Sequence, residues 1–123
     1  MAETVKAVIG AGAAGVNLED GLGSGGVRDA EDQCRRLSAA REAAQGEGIP
    51  LFINARIDVY LLGSAPEPER FGETVRRARA YLQQGADGIF VPGILEPREL
   101  RRLAEEIDGP LNVMAGAGSP SIA

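Results

Sequence analysis

Apolar positions recur at helical spacing in four stretches of this chain and run together in the short stretches between them. Ala30 to Ala44 puts Cys34, Leu37, Ala40 and Ala44 on one stripe, with Arg35, Arg36, Arg41 and Glu42 outside it or at its edge. Arg70 to Gln84 repeats the arrangement with Phe71, Val75, Ala78 and Leu82. Glu3 to Ala11, carrying Val5, Val8 and Ile9, and Glu96 to Ile107, opened by Pro97, predict two more helices. Asp29, followed three residues later by Asp32, suits an N-cap. Short strands are predicted between the helices at Ala14 to Leu18, Ile49 to Arg56, Ile89 to Val91 and Leu111 to Met114. The run from Ile49 to Arg56 is too continuously apolar for a strand with one wet face, which predicts a parallel strand covered on both sides.

The helix-to-strand joints resemble one another. Ala11-Gly12-Ala13-Ala14-Gly15-Val16 and Gln84-Gly85-Ala86-Asp87-Gly88-Ile89 share one pattern, and Gly48 marks a further joint between them. Helices alternating with short strands read as (β/α) units of a parallel sheet. The predicted class is α/β, a single domain over 1–123 that forms a partial TIM (β/α)8 barrel of about four strands, since a whole barrel takes about 250 residues. Four such strands would leave an uncovered face carrying Val16, Phe52 or its neighbours, Ile89 or Phe90, and Val113, so a homo-oligomer is expected.

Composition narrows the chemistry. The net charge of -5, with 13 basic and 18 acidic residues interspersed, argues against nucleic acid as a partner. No apolar run suits a membrane span, and Met1 to Val8 carries charge too early for a signal sequence, so the expected compartment is the cytoplasm. There is no histidine and one cysteine, which excludes His-based metal sites, His general bases and an intrachain disulfide. Cys34, on the inner stripe of its helix, reads as a buried structural thiol. Arg76, Arg77 and Arg79 read as a solvated face paired with Glu73 and nearby acids.

The stretch with most chemistry is Gly15-Val16-Asn17-Leu18-Glu19-Asp20, an apolar strand ending in an amide and two carboxylates. The carboxyl ends of parallel strands are where ligands bind in barrels and open sheets. Asn17 and Glu19 share parity and point to one face, while Leu18 and Asp20 point to the other. A solvated strand end that merely begins a loop is the alternative reading. The glycines Gly21, Gly23 and Gly26 formally match a dinucleotide fingerprint. Glu19 and Asp20 beside them would repel a pyrophosphate, so a flexible loop is preferred.

Four motifs in order carry a resemblance over nearly the whole chain: Ala13 to Asp20, Asn54-Ala55-Arg56-Ile57-Asp58-Val59-Tyr60, Arg79 to Gly93, and Pro110 to Met114. Together they resemble the isocitrate lyase/phosphoenolpyruvate mutase family, in its phosphonomutase-like branch. The resemblance implies a (β/α)8 barrel that uses Mg²⁺, or Mn²⁺, to hold a small α-keto acid or phosphonate. A carbon-carbon or phosphorus-carbon bond is then made or broken through an enolate-like intermediate. It implies that Glu19 is the carboxylate in the metal's water shell, with Asp20 beside it as a second metal residue. It further implies that Arg56 grips the substrate and that Asn112 and Asn17 lie on the substrate. Physical chemistry accommodates those roles, because Mg²⁺ retains waters and a guanidinium offers a bidentate fork to a carboxylate or phosphonate. Asp58 and Tyr60 could orient Arg56 or cap the loop, and Asn54 could satisfy a backbone group.

The departures restrict the activity. Where the lyase branch carries a catalytic cysteine loop, this chain has Gly21 to Val27 without cysteine, which disfavours isocitrate or methylisocitrate lyase activity. The family's first strands, with their principal metal carboxylates, are expected to be missing. A catalytically incomplete half-barrel acting as an assembly module is therefore the alternative to an enzyme.

Overall fold

Helix termination sets the rhythm of this chain. Gly12 and Gly85 follow the first and fourth helices with φ of 93° and 116°, a conformation that lets the chain turn sharply into the next strand. A Cβ at Gly85 would also lie 2.9 Å from Arg41 Cβ, so the joint tolerates no side chain. The computed structural model describes residues 1–94 and 96–114. Its elements are α1 (Ala2–Gly10), β1 (Gly15–Glu19), α2 (Ala30–Gly46), β2 (Phe52–Arg56), α3 (Val59–Leu62), a 3-10 turn (Glu67–Glu69), α4 (Arg70–Gln83), β3 (Gly88–Phe90), α5 (Pro97–Glu106) and β4 (Leu111–Asn112). The Gly/Ala/Ser/Pro stretch after Met114, whose composition reads as a loop, lies outside the described residues.

All four strands are parallel and lie in the order β1-β2-β3-β4, the sequential order of a (β/α) barrel wall. The core fills the space between helices and sheet. Leu37, Ala40 and Ala44 of α2, Ala78 and Tyr81 of α4 and Leu103 of α5 meet Ile53, Ala55 and Ile89, all buried. Asp29 caps α2 as expected, its carboxylate accepting from the backbone of Glu31 and Asp32.

Several expectations are corrected. β2 begins at Phe52 rather than Ile49, and it is apolar only toward the helices: Ile53 and Ala55 are buried, whereas Phe52, Asn54 and Arg56 stand on the opposite, open face. Val16 and Ile89 likewise pack toward the helices, which leaves Phe52 and Val113 exposed and Phe90 half-buried. The open face is consequently more polar than strand composition implied. On α2, Gln33 takes the buried position and Cys34 is half-buried at the edge of the stripe. Arg41 is held inward by the carbonyls of Leu51 and Gly85 and by Asp87. Arg77 is buried rather than solvated, whereas Arg76 pairs with Glu73 on the surface and Arg79 with Glu106.

Candidate functional site

Glu19 and Arg56 end neighbouring strands and are register partners, so both side chains rise from the same open face at its carboxyl edge. Arg56 Nη2 lies 3.3 Å from Glu19 Oε2, and Arg56 Nε donates to Asp58 Oδ1 at 2.7 Å. The two carboxylates differ in setting: Glu19 is half open to solvent, whereas Asp58 is buried. The Asp58 hydrogen bond, against the opposing cost of burial, holds the guanidinium even more firmly charged than a free arginine. Asp58 gets this close because Gly21 has no side chain, since a Cβ there would overlap the Asp58 carboxylate.

Asp20 lies on the other side of the sheet and is buried. Its Oδ1 accepts from the Asp58 backbone N–H at 2.8 Å, and its Oδ2 from Tyr81 Oη at 2.7 Å and Arg77 Nη1 at 3.2 Å. Burial pushes its carboxyl above the usual range, against the pull of those donors. The metal role expected for Asp20 beside Glu19 is corrected by this geometry: alternation along β1 sends the two carboxylates to opposite faces, and that of Asp20 is occupied by protein donors. Among the described residues no three carboxylates or thiols converge as a metal cluster.

A row of amides crosses the open face beside Glu19 and Arg56, with Asn17 and Asn54 one layer in and Asn112 level with Arg56. Asn112 Nδ2 donates to Asn54 Oδ1 at 2.9 Å, and Asn54 Nδ2 donates to Asn17 Oδ1 at 3.0 Å. Asn54 thus links Asn17 and Asn112 through its side chain, whereas the partner expected for it was a backbone group. Its parity with Arg56 on β2 is the signal that places it on this face. Tyr60 does not orient Arg56; its hydroxyl donates to Glu99 at 2.7 Å and ties α3 to α5. Between β1 and α2 the glycine loop closes on itself through a Gly21–Val27 bridge, and the Asp29 carboxylate occupies the N-terminus of α2 that a pyrophosphate would need. Burial raises the pKa of the Cys34 thiol, which suits an inert thiol rather than a nucleophile.

A parallel half-barrel whose strand ends present an acid, a braced arginine and a row of amides defines an α/β protein with a candidate ligand site at the barrel mouth. A family model for phosphoenolpyruvate phosphomutase matches residues 1–123, and the chain belongs to that family. A crystal structure of a candidate phosphonomutase from Burkholderia cenocepacia J2315 superposes with a TM-score of 0.90 at 43% identity, covering 98% of this chain and 50% of that one. An uncharacterised protein of Mycobacterium tuberculosis is 35% identical over 106 residues, 85% of this chain and 38% of that protein. The 2-methylisocitrate lyase of Escherichia coli is 29% identical over 119 residues, 90% of this chain and 38% of the lyase. This chain therefore spans half or less of the length of these relatives.

Proposed function

We propose that this chain supplies the substrate-gripping wall of a Mg²⁺-dependent lyase or phosphonomutase, cytoplasmic and oligomeric, acting on a small α-keto acid or phosphonate through an enolate-like intermediate. The observation that carries this reading is the Glu19–Arg56–Asp58 arrangement at the strand ends. Asp58 takes Nε of Arg56, which leaves the two Nη groups at the strand ends, with Nη2 shared with Glu19 Oε2 at 3.3 Å. There they suit a bidentate hold on a carboxylate or phosphonate. Their charge would also offset an enolate developing as the bond breaks.

Mg²⁺ or Mn²⁺ suits Glu19 as an outer-shell partner reached through water, and it does not suit the enclosed Asp20. When bound, the ion supplies the positive charge that holds the acid end of the substrate. Further carboxylates would have to come from outside the four strands described. The fraction of the relatives' length covered favours a second reading, in which the chain alone is an incomplete half-barrel acting through assembly.

Arg56→Lys decides the role of the fork. Turnover across a panel of α-keto acids and phosphonates should drop by roughly tenfold or more while the fold persists, because lysine keeps the charge and loses the bidentate geometry. Equal turnover by the two proteins would refute the assignment. Titration calorimetry gives the companion test: Mg²⁺ binding should be saturable and weakened by Glu19→Ala. Absence of saturable binding up to millimolar metal would favour the incomplete half-barrel.

A further inference from the structure

The amide row has a direction, and one backbone carbonyl sets it. Three asparagines bridged in line could in principle run either way, since each amide can be turned end for end. Asn112 breaks the tie. Its Nδ2 lies 2.9 Å from Asn54 Oδ1 and also 3.4 Å from the Ile89 carbonyl oxygen, which can only accept. The Asn112 atom between them must therefore be the NH2 group, so Asn54 meets it with oxygen and is left with its own NH2 to give to Asn17 Oδ1.

The bare Gly88 makes the row feasible. It is the β3 residue paired with Asn54, and a Cβ on it would lie 3.3 Å from Asn54 Oδ1 and 3.0 Å from Phe52 Cζ, in the gap that Asn112 leans across. Asn112 itself stands opposite Phe90, two residues further along β3 than Gly88, so its amide reaches back over the gap rather than directly sideways.

From this we infer that Asn54 is a positioning residue which joins Asn17 and Asn112 into one polarised amide relay. The NH2 group of Asn17 is thereby left for a ligand's acceptor at the β1 side, and the carbonyl of Asn112 for a ligand's donor at the β4 side. The role of the two ends in holding substrate rests on the function proposed above. The relay itself does not, because it is a property of the protein without any ligand.

Side-chain amide exchange in the ¹⁵N spectrum of this 123-residue chain tests it. Asn54 and Asn112 should show slowed amide exchange and Asn17 fast exchange, because only the first two donate. Asn54→Asp, with oxygens on both sides, should keep Asn112 protected and turn the Asn17 NH2 inward, so that Asn17 changes from fast to slow exchange. Asn54→Ala should release both neighbours, and Gly88→Ala, which leaves all three asparagines in place, should weaken the Asn112 protection. A purely structural Asn54 would lower thermal stability without reversing the exchange of Asn17. Slow exchange at Asn17 with fast exchange at Asn112 in the parent, or no change at Asn17 in Asn54→Asp, overturns the inference. Oxalate added to the same sample separates it from the functional reading: an intact relay that is unmoved by oxalate would count against the site and leave the relay standing.

Discussion

Arg56 is aimed by a carboxylate that reaches it past a bare stretch of backbone, which makes Gly21 as important to the candidate site as any charged residue. Asp58 is fixed twice, by Arg56 Nε on its side chain and by Asp20 on its backbone N–H, so it has no room to retreat. Gly21→Ala would push a methyl group into the Asp58 carboxylate and against Leu62 Cδ1 at 3.3 Å. A loss of about 1–3 kcal/mol is expected, as for other overpacked sites. Gly23, in the same loop, has open space where a Cβ would stand, with no atom within 4 Å, and its φ is not positive. Gly23→Ala should therefore change stability by less than about 1 kcal/mol. Denaturant unfolding of the two variants gives the comparison. Equal stability in both would show that Asp58 is not confined as described.

At the scale of elements, α4 is bolted to β1 by a buried polar cluster of Asp20, Arg77 and Tyr81. Arg77 donates to Asp20, to the Arg28 carbonyl and to Tyr81 Oη, while its Nε binds Glu73. The four main helices, the Asp29 cap and the existence of the four strands were legible in the sequence because each depends on near neighbours along the chain: spacing, a capping carboxylate, a glycine joint. The cluster was not legible, because Asp20 and Arg77 are far apart in sequence and a charged residue on a helix ordinarily reads as solvated. Parity along β1 did separate Asp20 from Glu19, yet the resemblance drew both toward the metal. The one-turn α3 was not legible either, since four residues carry no periodicity.

That cluster has a consequence in alkali. Burial first, and then the neighbouring Asp20 carboxylate, push the Tyr81 hydroxyl above its usual 10.0; burial and Glu99 do the same to Tyr60. Below pH 10 folded and unfolded chains both keep these protons, and the full contribution to stability is present. Above it the unfolded chain releases protons that the folded chain retains. Stability should then fall by up to about 1.4 kcal/mol per pH unit for each tyrosine. These are the only two tyrosines, so the variant carrying both Tyr60→Phe and Tyr81→Phe should lack their part of the slope. Urea unfolding between pH 10 and 12 checks this, and an unchanged slope in the double variant would show that neither hydroxyl is held neutral by the fold.

For the molecule as a whole, the sheet has a helix-covered side and an open side, and its edge strands are β1 and β4. The open side is mixed: the Asn17–Asn54–Asn112 row and the Glu19–Arg56 pair lie beside Phe52, which is 43% exposed, and Val113 and Met114 stand exposed past β4. A fully apolar face would drive tight, dry association, whereas this one offers apolar contact only around a polar centre that keeps its own hydrogen bonds. Sheet edges still invite pairing with another chain, and among the described residues Phe52 is the largest exposed apolar side chain. This 123-residue chain, expressed alone, should therefore form a reversible dimer at micromolar concentration rather than an aggregate. Phe52→Ser should shift sedimentation equilibrium toward monomer with little loss of stability, since the ring is already partly in water. A parent chain that sediments as a folded monomer and binds no hydrophobic dye would show that the open face and edges need no covering.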